Sequence, residues 1–423
     1  MKRRSHGSRR PSRLRAARAS SLAASPPGPR RSGQVPAGKA VSLVGPRELT
    51  SALVAALRAR GEIERATQRF HAYPARLHPD AARGLLDVLP GHRLLDPFCG
   101  GGTVLVEGML AGRHTWGNDL NPVAALVARA RTRRLSDEDR QTVAAATAEA
   151  ARAAEALVTD RREVAPPPAV EPLVRWYEPH VLAELSGLHA CVETADTDDE
   201  TRRLLRAMHS SLVVKYSLRA SDTSARRVKR KVRRGAALNA FRARSRELLA
   251  MLAELDAQVP PDVPAAKLRR GDARAVEGTF DLVLTSPPYP GTYDYLPLQH
   301  LRLAWLGRLD ALGSQPREIG ARRDFKRSAE EGYRRWRAST QDWMMVVARV
   351  LAPGGCLAIV IGDGISHGRL LEAREPTEEA AAAAALTPWV AASIERSDPA
   401  TGLAKREHVL VFRRPSGPPA PRR

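Results

Sequence analysis

The stretch Leu94-Leu95-Asp96-Pro97-Phe98-Cys99-Gly100-Gly101-Gly102-Thr103, followed by Val104, Leu105, Met109 and Leu110 at helical spacing, reads as strand, glycine loop and helix. Three consecutive glycines at such a turn let the backbone approach a ligand closely, and the helix start offers N–H groups without partners. No lysine follows the glycines, so the turn is not a Walker-type phosphate cradle. Working outward, His114 to Asn118 reads as a second strand ending at Asp119, and Asn121-Pro122 opens a helix with proline at an early position. Asp119 stands one strand after the glycines, about 20 residues on, where an acid in such folds accepts hydrogen bonds from ribose hydroxyls. It also suits a helix N-cap, and the two roles are compatible.

The alternation breaks at residue 131. Residues 131–266 are mostly helical in pattern, with helices expected over 136–160, 180–192, 199–219 and 236–257. Strand signals resume at 268–272, 280–285, 356–362, 390–396 and 408–412. Alternating strands and helices with one helical insertion predict an α/β sandwich with a largely parallel sheet, whose ligands gather at the strand carboxyl ends. One strand end carries Ser286-Pro287-Pro288-Tyr289. Each proline lacks an N–H and fixes φ at about −65°, so strand pairing stops there and carbonyls around Pro287 are free to face a cleft. With Ser286 Oγ as acceptor and Tyr289 as an aromatic face, the loop suits a flat ring bearing an exocyclic NH2.

The chain has 423 residues, 43% of them hydrophobic, enough for one large domain with an insertion or for two domains. No apolar run approaches the length of about 18 residues that reads as a membrane-spanning helix. Cys99, Cys191 and Cys356 lie far apart, without CxxC spacing or a histidine at ligand spacing. Neither a disulfide framework nor a zinc site is expected, which fits a reducing cytosol. The net charge of +22 favours polyanionic partners such as nucleic acid. Since 60 of the 68 basic residues are arginine, a compositional bias toward Ala and Arg is the competing explanation. Residues 1–40 hold eleven Lys and Arg and no acid, and are expected to be a disordered basic arm; Pro11, Pro26, Pro27 and Pro29 argue against the amphipathic helix of a transit peptide. A second run, Arg226 to Arg234, places seven cations in nine positions, either to meet phosphates or as a solvated helix face.

Asp96 to Thr103 together with Ser286-Pro287-Pro288-Tyr289 resembles the motif pair of the DNA amino-methyltransferases, which methylate N4 of cytosine or N6 of adenine. Phe70-His71-Ala72-Tyr73-Pro74-Ala75-Arg76 is similar to a third segment of that family, and Gly271-Asp272-Ala273 and Leu351-Ala352-Pro353-Gly354-Gly355 follow in its order. Serine at 286, rather than aspartate or asparagine, resembles the cytosine-N4 branch. The resemblance implies a Rossmann-like S-adenosylmethionine-dependent methyltransferase fold with a mostly parallel seven-stranded sheet. Its halves would be 41–130 and 267–414, around a target-recognition insertion at 131–266, with a disordered tail at 415–423.

The resemblance also assigns roles. Asp96, Gly100, Gly102 and their neighbours Phe98 and Thr103 would contact S-adenosylmethionine, Asp119 its ribose and Asp272 the vicinity of its adenine. Phe70 and the segment after it would close over the cofactor; Phe98 also reads as plain core. The expected substrate is a cytosine flipped out of double-stranded DNA, its amine held by Ser286 and the Pro287 carbonyl beside Pro288, its ring stacked on Tyr289. Ser221, Arg226, Arg227, Arg230 and Arg234 would contact DNA, and Tyr293 and Tyr295 form a second candidate lining of the base pocket. The rival expectations are an N6-adenine DNA enzyme, an RNA base amino-methyltransferase, or an inactive nucleic-acid-binding protein. A bacterial cytoplasm, at the nucleoid, is the expected location.

Overall fold

In the computed structural model, residues 38–417 are described, apart from Glu64, residues 399–401 and the side chain of Ala225. The expected basic arm falls outside the described residues as far as residue 37, and the tail does so from residue 418. The strands, in chain order, are β1 (Lys39–Val44), β2 (Arg93–Asp96), β3 (His114–Asp119), β4 (Arg219–Ser221), β5 (Ser224–Arg227) and β6 (Lys267–Arg270). They continue with β7 (Phe280–Thr285), β8 (Leu351–Gly362), β9 (Gly364–Ser366), β10 (Arg369–Leu371), β11 (Thr387–Ser397) and β12 (Ala404–Arg413). The helices are α1 (Arg47–Arg58), α2 (Pro79–Val88), α3 (Thr103–Leu110), α4 (Pro122–Arg131), α5 (Asp137–Thr159) and α6 (Pro179–Glu193). After them come α7 (Asp199–Lys215), α8 (Ala236–Gln258), α9 (Tyr295–Leu298), α10 (His300–Trp305), α11 (Ala329–Val350) and α12 (Arg374–Ala383).

Eight strands form the main sheet in the order β1-β11-β12-β8-β7-β2-β3-β6. The pairs β8–β7, β7–β2, β2–β3 and β3–β6 are parallel, while β12 is antiparallel to both β8 and β11, and β1 is antiparallel to β11. This is the α/β, Rossmann-like fold of S-adenosylmethionine methyltransferases, with a mostly parallel mixed sheet. The sheet has one strand more than the seven expected. The addition is β1, at the edge, which begins at Lys39 inside the segment expected to be arm; its residues are mostly exposed, so pairing with β11 and not its own pattern makes it a strand.

The chain passes from β2 to β3 on one side of β2 and returns to β7 on the other, so the strand order reverses at β2. A crevice at the carboxyl ends follows from that reversal, since the connections leave β2 and β7 in opposite directions. The central strands are buried on both faces: β7, Phe-Asp-Leu-Val-Leu-Thr, buries every residue but Asp281, as expected for a parallel strand covered by helices. Asn121 caps α4 by accepting the Val123 N–H at 2.9 Å, with Pro122 at its first position.

Between the two halves of the sheet, α5, α6, α7 and α8 share one apolar core with α3 and α10, through Leu185, Leu205, Phe241, Leu248, Met109 and Trp305. A capping box of Ser136 and Asp139 starts α5. The helix expected to run to residue 219 stops at Lys215, and residues 219–227 form the hairpin β4–β5; of the run Arg226 to Arg234, for which a helix face was the alternative to phosphate contact, Arg226 and Arg227 lie in β5 and none lies in a helix. Ser221-Asp222-Thr223-Ser224 explains this: short polar side chains compete for backbone hydrogen bonds and favour turns over helix.

Candidate active site

Strand β2 ends at Asp96, whose side chain is buried. The register Leu95↔Val283 sets Asp96 beside the end of β7, where Thr285 Oγ1 donates to Asp96 Oδ1 at 2.6 Å; the Phe98 N–H donates to the same oxygen at 3.1 Å. Oδ2 takes no hydrogen bond from the described residues. Burial pushes the Asp96 carboxyl up to about 7, against the pull of those two bonds. The ends of β2 and β7, 189 residues apart in the chain, are thus joined by one buried hydrogen bond between Asp96 and Thr285.

The glycine loop is held from beneath. Arg131, fully buried, donates from Nη1 to Gly101 O at 2.9 Å and from Nη2 to His71 O at 2.6 Å, tying the loop to the segment around residue 70. Burial lowers its pKa to about 9, and among the described residues no carboxylate pairs with it. Gly102 adopts φ +82° at the N-cap of α3, and a Cβ there would come within 3.0 Å of Ala128 Cβ.

Asp119 receives the Gly100 N–H on Oδ2 and the Asn121 N–H on Oδ1, each at 2.8 Å. Burial pushes it up to about 6. It lines a cleft with Tyr73, Phe98, Gly100, Asn121, Asp272, Ser286, Pro288, Tyr295 and Glu318. A narrower arm runs inward past Arg76, Asp96, Gly101 and Thr103, and Ser286 lines both. Asp272 is already engaged by its neighbour: Arg274 donates from Nε at 2.9 Å and from Nη2 at 2.7 Å. Glu318 accepts the Leu296 N–H at 2.7 Å and Arg323 Nη1 at 2.5 Å, while burial raises its pKa.

The loop 286–291 is clamped over the sheet. Trp336 Nε1 donates to Pro288 O at 3.2 Å, and the Gly291 N–H donates to Gly320 O at 3.0 Å. Pro290 O lies where a Cβ on Gly364 would stand, so only glycine fits at 364. The Pro287 carbonyl takes no hydrogen bond from the described residues, but Pro287 is outside the lining of both cleft and arm, and the expectation of free carbonyls around it does not extend to Pro288 O, which Trp336 holds. Tyr289, expected to stack on the base, is placed otherwise: its ring lies against Gly362, its hydroxyl donates to Glu407 at 3.3 Å, and it is outside the lining of the cleft. Tyr295 lines the cleft instead, with the Tyr293 ring 5.6 Å away.

Other expected residues divide similarly. Phe70 is buried in the helical core, where its bulk packs below the site, and Tyr73 from the same segment forms the wall. Gly102 shapes the loop without lining the cleft. Phe98 lines the cleft, and its ring meets Trp343 edge-on at 5.3 Å. Ser221, Arg226, Arg227 and Arg234 are exposed on and after the hairpin, whereas Arg230 is spent on the backbone, donating to Lys215 O at 2.6 Å and Arg219 O at 2.8 Å. Glu318 and Arg131 were not anticipated. Arg131 carries no motif signal, and Glu318 reaches the cleft only through the fold of the 306–325 segment.

The residues fit S-adenosylmethionine. Thr103 Oγ1 on the inner arm is buried without a hydrogen-bond partner among the described residues, the uncompensated Arg131 lies under the glycine backbone, and Asp96 lines the same arm. Among the described residues no cluster of His, Cys, Asp and Glu could hold a metal ion, and no helix is long and apolar enough to cross a membrane.

Fold and site together define a Rossmann-like domain whose glycine-loop cleft fits S-adenosylmethionine. Residues 66–163 match the family model UPF0020, described as RMKL-like, methyltransferase domain. The chain is also similar to the type II methyltransferase M.MvaI of Kocuria varians, at 37% identity over 71 residues, and that match spans 16% of either chain. Among solved structures, TrmN from Thermus thermophilus overlaps 81% of this chain and 50% of its own at 14% identity and a TM-score of 0.31. The rRNA methyltransferase aviRa from Streptomyces viridochromogenes overlaps 87% of this chain and 94% of its own, at 13% identity and the same TM-score of 0.31.

Proposed function

We propose that the chain methylates the exocyclic N4 of cytosine in bases flipped out of double-stranded DNA. The observation that carries this reading is Ser286, which lines both the open cleft and the inner arm beside the unpartnered Pro287 carbonyl. Bound S-adenosylmethionine supplies an electrophilic methyl group. The chain's own residues have to prepare the amine, whose lone pair is delocalised into the ring. Two acceptors, Ser286 Oγ and Pro287 O, would take its two hydrogens and draw the nitrogen toward a pyramidal, nucleophilic shape. Asp96, which lines the inner arm with Ser286 and has a carboxyl pKa of about 7, would take the proton that the methylated amine releases. Tyr295, one of three aromatics that line the cleft with Tyr73 and Phe98, would stack on the flipped ring, a contact worth about 1–3 kcal/mol per base. The 71-residue match to a type II methyltransferase supports the reading.

Expression in a methylation-free host, followed by mapping of modified bases in its DNA, tests this. N4-methylcytosine at a defined sequence is the expected outcome. N6-methyladenine would overturn the inference from Ser286, and unmodified DNA would move the substrate to RNA.

A further inference from the structure

The hairpin β4–β5 is bolted to the wall of the cleft by two buried arginines. Arg219, at the start of β4, donates from Nη1 to Leu298 O at 2.8 Å and from Nε to Ser224 O at 3.2 Å. Arg302, 1% exposed on α10, pairs through Nη1 with Asp222 in the hairpin turn and with Gln299 Oε1 at 2.9 Å, and through Nε with Ser210 O at 3.1 Å. Leu298 closes α9, whose first two residues, Tyr295 and Leu296, line the cleft. Cleft wall and hairpin therefore share one set of buried hydrogen bonds.

The chain leaving the hairpin is arranged in alternation. Val228, Arg230 and Val232 are half-buried: Arg230 donates to carbonyls of 215, 219 and 220, and Val232 O accepts from His180 Nε2 at 2.9 Å. Lys229, Lys231 and Arg233 are exposed between them, continuing from Arg226 and Arg227 and ending at Arg234. These six cations make no ion pair among the described residues. The strip therefore presents charge at alternate positions 229, 231 and 233, flanked by the pairs 226–227 and 233–234, a run of cations suited to one strand of a phosphodiester backbone.

We propose that Asp222, Arg219 and Arg302 form a strut that fixes this cation strip relative to the base pocket, so that a DNA strand gripped by its phosphates arrives with one nucleotide in register with Ser286. The inference rests on the proposed function and gives it a positioning device. The strip supplies affinity; the strut supplies alignment. Losing the strut leaves six cations free to bind, but lets the bound strand slide past the pocket.

The test uses the full chain with Asp222→Ala, and Asp222→Asn as the variant that keeps an acceptor for Arg302. Amide hydrogen exchange is expected to quicken in 219–227 and 295–299 together in Asp222→Ala, and less in Asp222→Asn. Faster exchange confined to the hairpin overturns the coupling. Binding to a short fluorescent DNA duplex should keep its Kd, while kcat falls by about 10- to 100-fold, with Asp222→Asn recovering most of it. An unchanged kcat contradicts the strut. So does a loss of affinity equal to that of the Arg226→Glu, Arg227→Glu double variant, which would make Asp222 part of the binding surface. Tight binding to RNA with none to DNA overturns the DNA strand as partner. If the wild-type chain methylates neither, the proposed function fails, and the exchange result alone still decides whether the strut exists.

Discussion

Asp96 links both motifs to one pH-sensitive atom. Its folded pKa is about 7 against an ordinary value of 3.8, so between those values the native chain keeps a proton that the unfolded chain has lost. Stability from this group therefore falls as pH rises from about 4 to 7. Asp119, raised to about 6 by burial, acts in the same direction. A cationic sulfonium favours the ionised carboxylate, so affinity for S-adenosylmethionine should rise between pH 5.5 and pH 8. Affinity for S-adenosylhomocysteine, whose sulfur is neutral, should rise less, and Asp96→Asn should remove most of the difference between the two; calorimetric titration at both pH values checks this. That Asp96 matters was legible from its place before the glycines. Its bond to Thr285 was not, because it depends on strand register rather than on either motif. Tyr289 shows the converse: an aromatic inside a motif looked like a stacking face, yet the missing side chain of Gly362 opens a slot that takes its ring, and Tyr295 is left to face the cleft.

At the scale of elements, the strand–loop–helix unit was readable because glycine spacing and apolar periodicity agree over residues 94–110. Gly102 is where the unit is most demanding. An alanine there must hold φ +82° and press on Ala128 at 3.0 Å, so Gly102→Ala should cost about 1–3 kcal/mol, measured by chemical denaturation. An unchanged midpoint would mean that the loop relaxes freely and that its cradle is not rigid. The long helices of the insertion were legible for the same reason of periodicity. The hairpin was hidden inside a basic run, because charge signals exposure without fixing backbone shape. Edge strand β1 was hidden because its mostly exposed residues carry no strand pattern and its pairing with β11 makes it a strand.

Across the whole molecule, a net charge of +22 says only that polyanions are attracted. The structure sorts that charge by use. Arg131, Arg219, Arg230 and Arg302 are committed to backbone carbonyls or to Asp222, while Arg226, Arg227, Lys229, Lys231, Arg233 and Arg234 are exposed and without ion pairs among the described residues. Reversing Arg226 and Arg227 should therefore lower the slope of log affinity for duplex DNA against log salt by about 0.9 for each lost contact. An unaltered slope would make the strip a solvated surface. Sequence composition could not make this division, since arginines that cap carbonyls and arginines that meet phosphates are the same residue type.

The central claim is that Ser286 and Pro287 present a cytosine amine for methylation. The most direct measurement is to incubate the purified chain with methyl-labelled S-adenosylmethionine and duplex DNA, digest the DNA to nucleosides and identify the labelled one by mass spectrometry. The label should appear in N4-methyldeoxycytidine, and be lost in Ser286→Ala while S-adenosylmethionine still binds. Label in N6-methyldeoxyadenosine, or in no nucleoside while RNA is labelled, would contradict it.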